Sequence, residues 1–280
     1  MIGDWWKKHT ADKIRVSDEQ WQAAEAQLCC LDHLDADDRR RLRDMARAFL
    51  AQKQWSGAGG LSLTAPMQLS IALQACLPVL NLGLEHYRGW VGIVVYAGDF
   101  VIPRQVMDAD GIVHEYDDQV LGEAWEGGPV LLSWFDDPDD AGGVPITPPR
   151  SQHRLAAPHR GTPDVLGRPG DVNVVIHEFA HKLDMENGEV DGIPRLPEGM
   201  SRRDWIAAFE PAYEDFCRKV DEADRRGEET LLDPYGSEHP SEFFAVMSEA
   251  FFETPEVLRD EYPAVYDQLR RFYRQDPAGA

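Results

Sequence analysis

Residues 171–188 read DVNVVIHEFAHKLDMENG. Asp171 suits the N-cap of a helix and Gly188 suits its end. Ile176, Phe179, Ala180 and Leu183 recur at i, i+3, i+4 and i+7, the stripe by which a helix faces a core. Within the stretch, His177-Glu178-Phe179-Ala180-His181 fits H-E-x-x-H. Residues four apart share a helix face, so His177 and His181 offer two imidazoles to one Zn²⁺ ion. Glu178 is rotated about 100° from His177. That puts it beside a metal without ligating it, where it can take a proton from water.

A site of this kind needs a third protein ligand and an open fourth position. Residues 235–253, YGSEHPSEFFAVMSEAFFE, supply the candidates. Glu242 and Glu249 share a face but are separated by ~10.5 Å of helical rise, so one ion cannot bind both. A carboxylate in so apolar a helix needs a partner, and a metal is a good one. Geometry favours Glu242, with Glu249 next; His239 is a further candidate but falls in the loop before the helix. Two histidines and a carboxylate suit a catalytic centre better than a structural one, which is usually closed and cysteine-rich.

Outward from this centre the texture changes twice. Residues 17–31 predict a helix, with Ser17 and Gln20 forming a capping box. A second helix is expected over 36–54, with Leu42, Met45, Ala46, Phe49 and Leu50 on one stripe and the Gly57–Gly60 region ending it. A third covers 66–80. Val91–Tyr96, Phe100–Ile102, Gly111–Tyr116 and Pro129–Trp134 read as four strands of a sheet. Residues 136–170, rich in Pro, Gly and Asp, read as a loop, and helices return from 171 to the end. The order helices, strands, helices predicts an α+β fold with no dividing linker.

The chain has 280 residues, 43% hydrophobic and 28% charged, within globular usage. Its formal net charge of −22 repels phosphate backbones, which argues against direct nucleic-acid binding. The same field mainly serves solubility, and it would favour a basic partner. Cys29, Cys30, Cys76 and Cys217 make no CxxC spacing and suit reduced thiols in a cytoplasmic protein. The N-terminus lacks the apolar run of a signal peptide, and no window is long enough to span a bilayer. The Trp5-Trp6-Lys7-Lys8 cluster is the one candidate for touching a membrane surface, and fraying or packing is the commoner fate of such ends.

The combination of His177-Glu-Phe-Ala-His-Lys-Leu-Asp184, Asn187-Gly188, and Tyr235 seven residues before Glu242 resembles the Mlc titration factor A family of bacterial zinc metallopeptidases. Its active site is similar to that of the anthrax lethal factor protease. Phe244-Ala245-Val246, Cys76-Leu-Pro-Val-Leu, Leu82-Gly-Leu-Glu, Gly128-Pro-Val and Phe272-Tyr-Arg-Gln-Asp-Pro277 extend the likeness from about residue 30 onward. The resemblance implies a single zincin-like metallopeptidase domain over 1–280. It would hold a helical part over about 1–80, a small twisted sheet over about 90–135 and active-site helices over about 171–275. It implies Glu242 as the third zinc ligand, completing a gluzincin-type set, and Tyr235 as the group that stabilises the oxyanion. The bland role for Tyr235 is a turn-packing aromatic. Glu249 then becomes a structural or supporting carboxylate, and Asp184 orients a ligand or nearby backbone, or is solvated.

Peptide hydrolysis is the activity so implied, aminopeptidase-like, with Pro129–Trp134 as a sheet-edge strand that pairs with extended peptide or as an ordinary core strand. The alternative is a binding protein that sequesters a transcriptional repressor, Mlc in the family, with weak peptidase activity.

Overall fold

The computed structural model describes residues 16–107, 113–134 and 173–279. The Trp5-Trp6-Lys7-Lys8 cluster, the 136–170 loop and Asp171 lie outside these residues.

The first helix, α1 (Asp18–Glu25), starts as its capping box requires, with Ser17 accepting from Gln20 N and Gln20 returning the bond. It stops at Glu25, short of the expected 31, and Cys29–Leu31 form a separate 3₁₀ turn. Helix α2 (Ala36–Gln52) is capped by Asp35 and buries Leu42, Ala46, Phe49 and Leu50. It ends at Lys53, whose backbone is extended and whose ammonium donates to the carbonyls of Tyr87 and Trp90. Strand β1 (Gln54–Ala58) therefore follows with no loop, and the glycines expected to stop the helix belong to this strand and its turn. Helix α3 (Ala65–Cys76) begins at Thr64 and ends four residues before the expected 80, with Cys76 fully buried.

Five more strands follow: β2 (Gly92–Ala97), β3 (Phe100–Met107), β4 (Val113–Val120), β5 (Gly122–Ala124) and β6 (Val130–Trp134). They do not form one sheet. A mixed sheet has the order β1-β2-β6-β5, with β1, β2 and β6 parallel and β5 antiparallel to β6. β3 and β4 pair only with each other among the described residues. Strand β6 lies between β2 and β5, so the reading of Pro129–Trp134 as an edge strand is corrected. The three-residue β5 holds that edge instead.

Alternate residues Ile93, Val95, Val130 and Leu132 are essentially inaccessible and join the core shared with the helices. The result is an α+β fold with a small mixed sheet packed against helices. Across it runs α4 (Val174–Asp184), all eleven of whose residues are buried. Phe179 meets Phe49, Tyr87 and Trp90 edge-on or tilted, with centroids 5.1–5.7 Å away. Burying such a ring contributes ~1.5–3 kcal/mol. Helices α5 (Arg202–Arg226), α6 (Pro240–Glu253), α7 (Pro255–Glu261) and α8 (Pro263–Tyr273) complete the chain. The last three each open on proline, where the missing N–H costs nothing. No helix among the described residues is long and apolar enough to cross a membrane.

Candidate metal centre

Helix α4 starts at Asn173, not at Asp171. The Asn173 side chain accepts from Ile176 N at 3.0 Å, and its amide donates to Gln74 and Glu253. This cap fixes the helix that presents His177 and His181. The apolar stripe expected from the sequence is there, with Ile176, Phe179, Ala180 and Leu183 at most 1% exposed. The opposite side is not solvent: it faces α6, which brings Glu242 and Glu249.

Glu242 Oε2 lies 3.0 Å from His177 Nε2 and 3.1 Å from His181 Nε2. The two Nε2 atoms are 3.1 Å apart. His177 Nδ1–H donates to Glu249 Oε1 at 2.6 Å, which leaves Nε2 facing Glu242 as the nitrogen that could offer a lone pair to a metal. Three acceptor-capable atoms thus converge on one point, an arrangement that repels itself unless a proton or a metal cation sits among them. His177, His181 and Glu242 are the group among the described residues that could hold a metal ion.

The electrostatics make the same demand for positive charge. Burial works against protonation of His177, but Glu242 and Glu249 outweigh it and hold the imidazole well above its ordinary value. Burial also opposes the Glu242 charge, yet the two imidazoles keep that carboxyl well below the usual carboxylate range. Glu249 is pushed up, by burial against its bond to His177.

Glu178 is 5% exposed, and its Oε2 has no hydrogen-bond partner among the described residues. Burial pushes it up to about 8, with His177 pulling down and Glu242, Glu123 and Glu249 adding to the rise. A cation held by the neighbouring imidazoles would draw it back toward the range in which a carboxylate both takes and releases a proton near neutral pH. Strand β5 runs against it so closely that a Cβ at Gly122 would lie 2.3 Å from Glu178 Oε1. Tyr235 sits in the 3₁₀ turn Pro234–Ser237, held by Asp233 Oδ1 accepting from its N–H at 3.0 Å. Its ring is 6.0 Å from the His177 ring, and the residue is 39% exposed, which does not fit a packed turn aromatic.

The four residues of the H-E-x-x-H and Glu242 readings therefore come together, with Tyr235 beside them. Glu249 does not reach the same point, as the helical rise required; it holds the far side of the His177 ring. His239 caps α6, its Nδ1 accepting from Ser241 N, and points its chemistry there. Asp184 is fully buried and accepts from Gly192 N, so it is not solvated. Asn173, Asp233 and Gly122 were missed. Asn173 had a readable signal, an Asn directly before an apolar run; Gly122 had none, since its role comes from a contact 56 positions away in sequence.

Comparison with known proteins agrees with this geometry. The model of the family described as glucose-regulated metallo-peptidase M90 matches residues 3–274. Mlc titration factor A of Serratia proteamaculans is 38% identical over 275 residues, covering 97% of this chain and 92% of that protein. The Mlc titration factor A of Salmonella arizonae is 34% identical over 278 residues, 98% of this chain and 97% of that one. That of Klebsiella pneumoniae strain 342 is 34% identical over 277 residues, with 97% and 92% covered. With a likeness running the length of the chain and a metal-competent cluster at its centre, this chain belongs to the M90 family of glucose-regulated metallo-peptidases.

Proposed function

We propose that this protein is a zinc-dependent peptidase of the gluzincin type, aminopeptidase-like in action, built as one zincin-like domain over the whole chain. His177, His181 and Glu242 are its metal ligands, Glu178 its general base and Tyr235 its oxyanion donor. The observation that carries the reading is the triangle of His177 Nε2, His181 Nε2 and Glu242 Oε2 with sides of 3.0–3.1 Å. Tetrahedral zinc, with bonds of ~2.0–2.2 Å, spaces its ligand atoms by roughly 3.3–3.6 Å, a few tenths of an ångström wider than this triangle. The donor set of two imidazoles and one carboxylate also suits zinc and leaves a position for water.

A zinc ion held there would polarise the scissile carbonyl and make the attacking water more acidic. Glu178, with its raised affinity for protons, takes the water's proton and passes it to the leaving amine. The Tyr235 phenol donates to the oxygen on which charge develops in the transition state. No strand among the described residues pairs with the outer side of β5, and Gly122 in that strand abuts Glu178. An extended peptide pairing there would pass the base, so the recognition role first read into β6 passes to β5. Glu178→Gln tests the mechanism: it is expected to keep the metal and lose turnover, and full activity would sink it.

A second reading has its own support. The relatives carry the name Mlc titration factor A, and a net charge of −22 suits a basic, DNA-binding partner such as a repressor. Sequestration of that kind would leave repressor binding unchanged in Glu178→Gln and His177→Ala. Binding lost in both would tie it to the metal centre.

A further inference from the structure

Each imidazole of the metal centre turns one nitrogen toward Glu242 and the other into the protein. On His177 the inner nitrogen is satisfied, because Nδ1–H donates to Glu249 Oε1 at 2.6 Å. That carboxylate is itself locked, its Oε2 accepting from Asn173 N at 2.7 Å. His181 differs. Its Nδ1 is buried with no hydrogen-bond partner among the described residues, and the same holds for Asp184 Oδ1. Asp184 follows His181 by three residues and so lies one turn along the same strip of α4. Its other oxygen is locked as the Glu249 carboxylate is, Oδ2 accepting from Gly192 N at 3.0 Å.

With a metal on His181 Nε2, the ring proton belongs on Nδ1, which makes this a buried donor one turn from a buried acceptor. Left unmade, each would carry the desolvation cost of a buried polar group with no partner. A single shared water satisfies such a pair when it is not in direct contact. Burial pushes the Asp184 carboxyl up to about 6, with the Gly192 N–H and then the His181 imidazole drawing it back, as neighbours of opposite tendency do.

We propose that Asp184 is a positioning residue of the metal centre, its Oδ1 taking the His181 Nδ1–H through one bridging water. It fixes the second imidazole as Glu249 fixes the first. The inference rests on the reading of His177, His181 and Glu242 as metal ligands.

The bracket extends to the third ligand. Gly192 has φ +76°, and a Cβ there would lie 2.4 Å from Pro240 O, so only glycine fits. Its carbonyl accepts from Trp205 Nε1 at 3.1 Å. Pro240 opens α6 two residues before Glu242. Asp184 thereby ties the His181 ring to the start of the helix that brings the carboxylate ligand.

The test is Asp184→Asn, which keeps an acceptor for Gly192 N and removes the charge facing His181. Zinc affinity is expected to fall ~10–100-fold, the usual effect of losing such a partner. The visible absorption of the Co²⁺-substituted variant is expected to shift. Wild-type affinity with an unchanged Co²⁺ spectrum overturns the inference alone. A wild-type chain that takes up no zinc overturns the metal reading and this inference with it. Should Asp184→Asn not fold, ring ¹⁵N spectra of the wild-type protein decide. In the zinc-loaded protein a His181 Nδ1–H that exchanges slowly with solvent supports the bracket; one that exchanges as fast as an exposed imidazole overturns the bracket alone, and a proton on Nε2 overturns the ligand reading.

Discussion

Replacing Gly122 by alanine adds one methyl group at the closest approach of the sheet to the proposed general base. The new Cβ would stand 2.3 Å from Glu178 Oε1 and 2.6 Å from Val174 Cγ2. Ordinary contact is ~3.4 Å or more, so something must yield by about 1 Å. Val174 is in the first turn of the buried α4 and has little freedom. The Glu178 carboxylate is the softer of the two, and it moves. A ~1 Å misplacement of a reacting group costs ~10²-fold in rate, and overpacking of this kind costs ~1–3 kcal/mol of stability. The three atoms nearest the new methyl belong to Glu178 and Val174, not to a metal ligand, so zinc content is expected to stay at the wild-type level. The assay is kcat on a fluorogenic peptide, beside zinc content and a denaturant melt. Gly122→Ala that keeps zinc and near wild-type kcat would refute the placement of Glu178 as the base.

Glu249→Gln leaves the His177 Nδ1–H with an uncharged acceptor; zinc should bind ~10–100-fold more weakly, read by competition with a chromophoric chelator, while the melt of the zinc-free protein changes little. Zinc at a thousandfold over its Kd should stabilise the protein by ~4.1 kcal/mol relative to the chelated form, and a melt indifferent to both zinc and chelator would count against the site. Lys53 is drawn down to about 7 by burial and by the nearby Lys182 ammonium. Between there and its ordinary 10.5 the unfolded chain holds a proton that the folded chain does not, so this residue makes stability rise with pH across that window. Lys53→Met should remove that part of the slope; parallel stability profiles for the two proteins from pH 6 to 10 would contradict it.

The parts of this fold that were legible are those written in local periodicity. The α4 stripe, the α1 capping box and the His177–His181 spacing each follow from positions within one or two turns. The strand β1 was not legible, because Gln54-Trp-Ser-Gly-Ala carries no β-branched residue and forms only by pairing with Gly92–Tyr96. Strand β5 is three residues long, and its place at the sheet edge depends on β6 lying inside. The sequence therefore leaves the more hydrophobic Pro129–Trp134 open as an edge or a core strand, and its apolar run marks a strand covered on both sides.

The site divides in the same way. Helical rise alone separated Glu242 from Glu249 and said that only one could reach the ion. It could not say that the other would sit on the opposite nitrogen of the same His177 ring, because that depends on how α6 crosses α4. Geometry favoured Glu242 without deciding it; the family resemblance implied that choice and the placing of Tyr235. Gly192 acts through its backbone N–H and its close approach to Pro240 O, which no sequence pattern records.

The most direct test of the metal centre is elemental analysis of the purified protein, wild type beside Glu242→Ala, each dialysed against a small excess of zinc. About one zinc per wild-type chain, lost in Glu242→Ala, is expected. A wild-type chain without zinc, or a Glu242→Ala chain that holds as much as the wild type, would contradict the assignment of His177, His181 and Glu242 as the ligands.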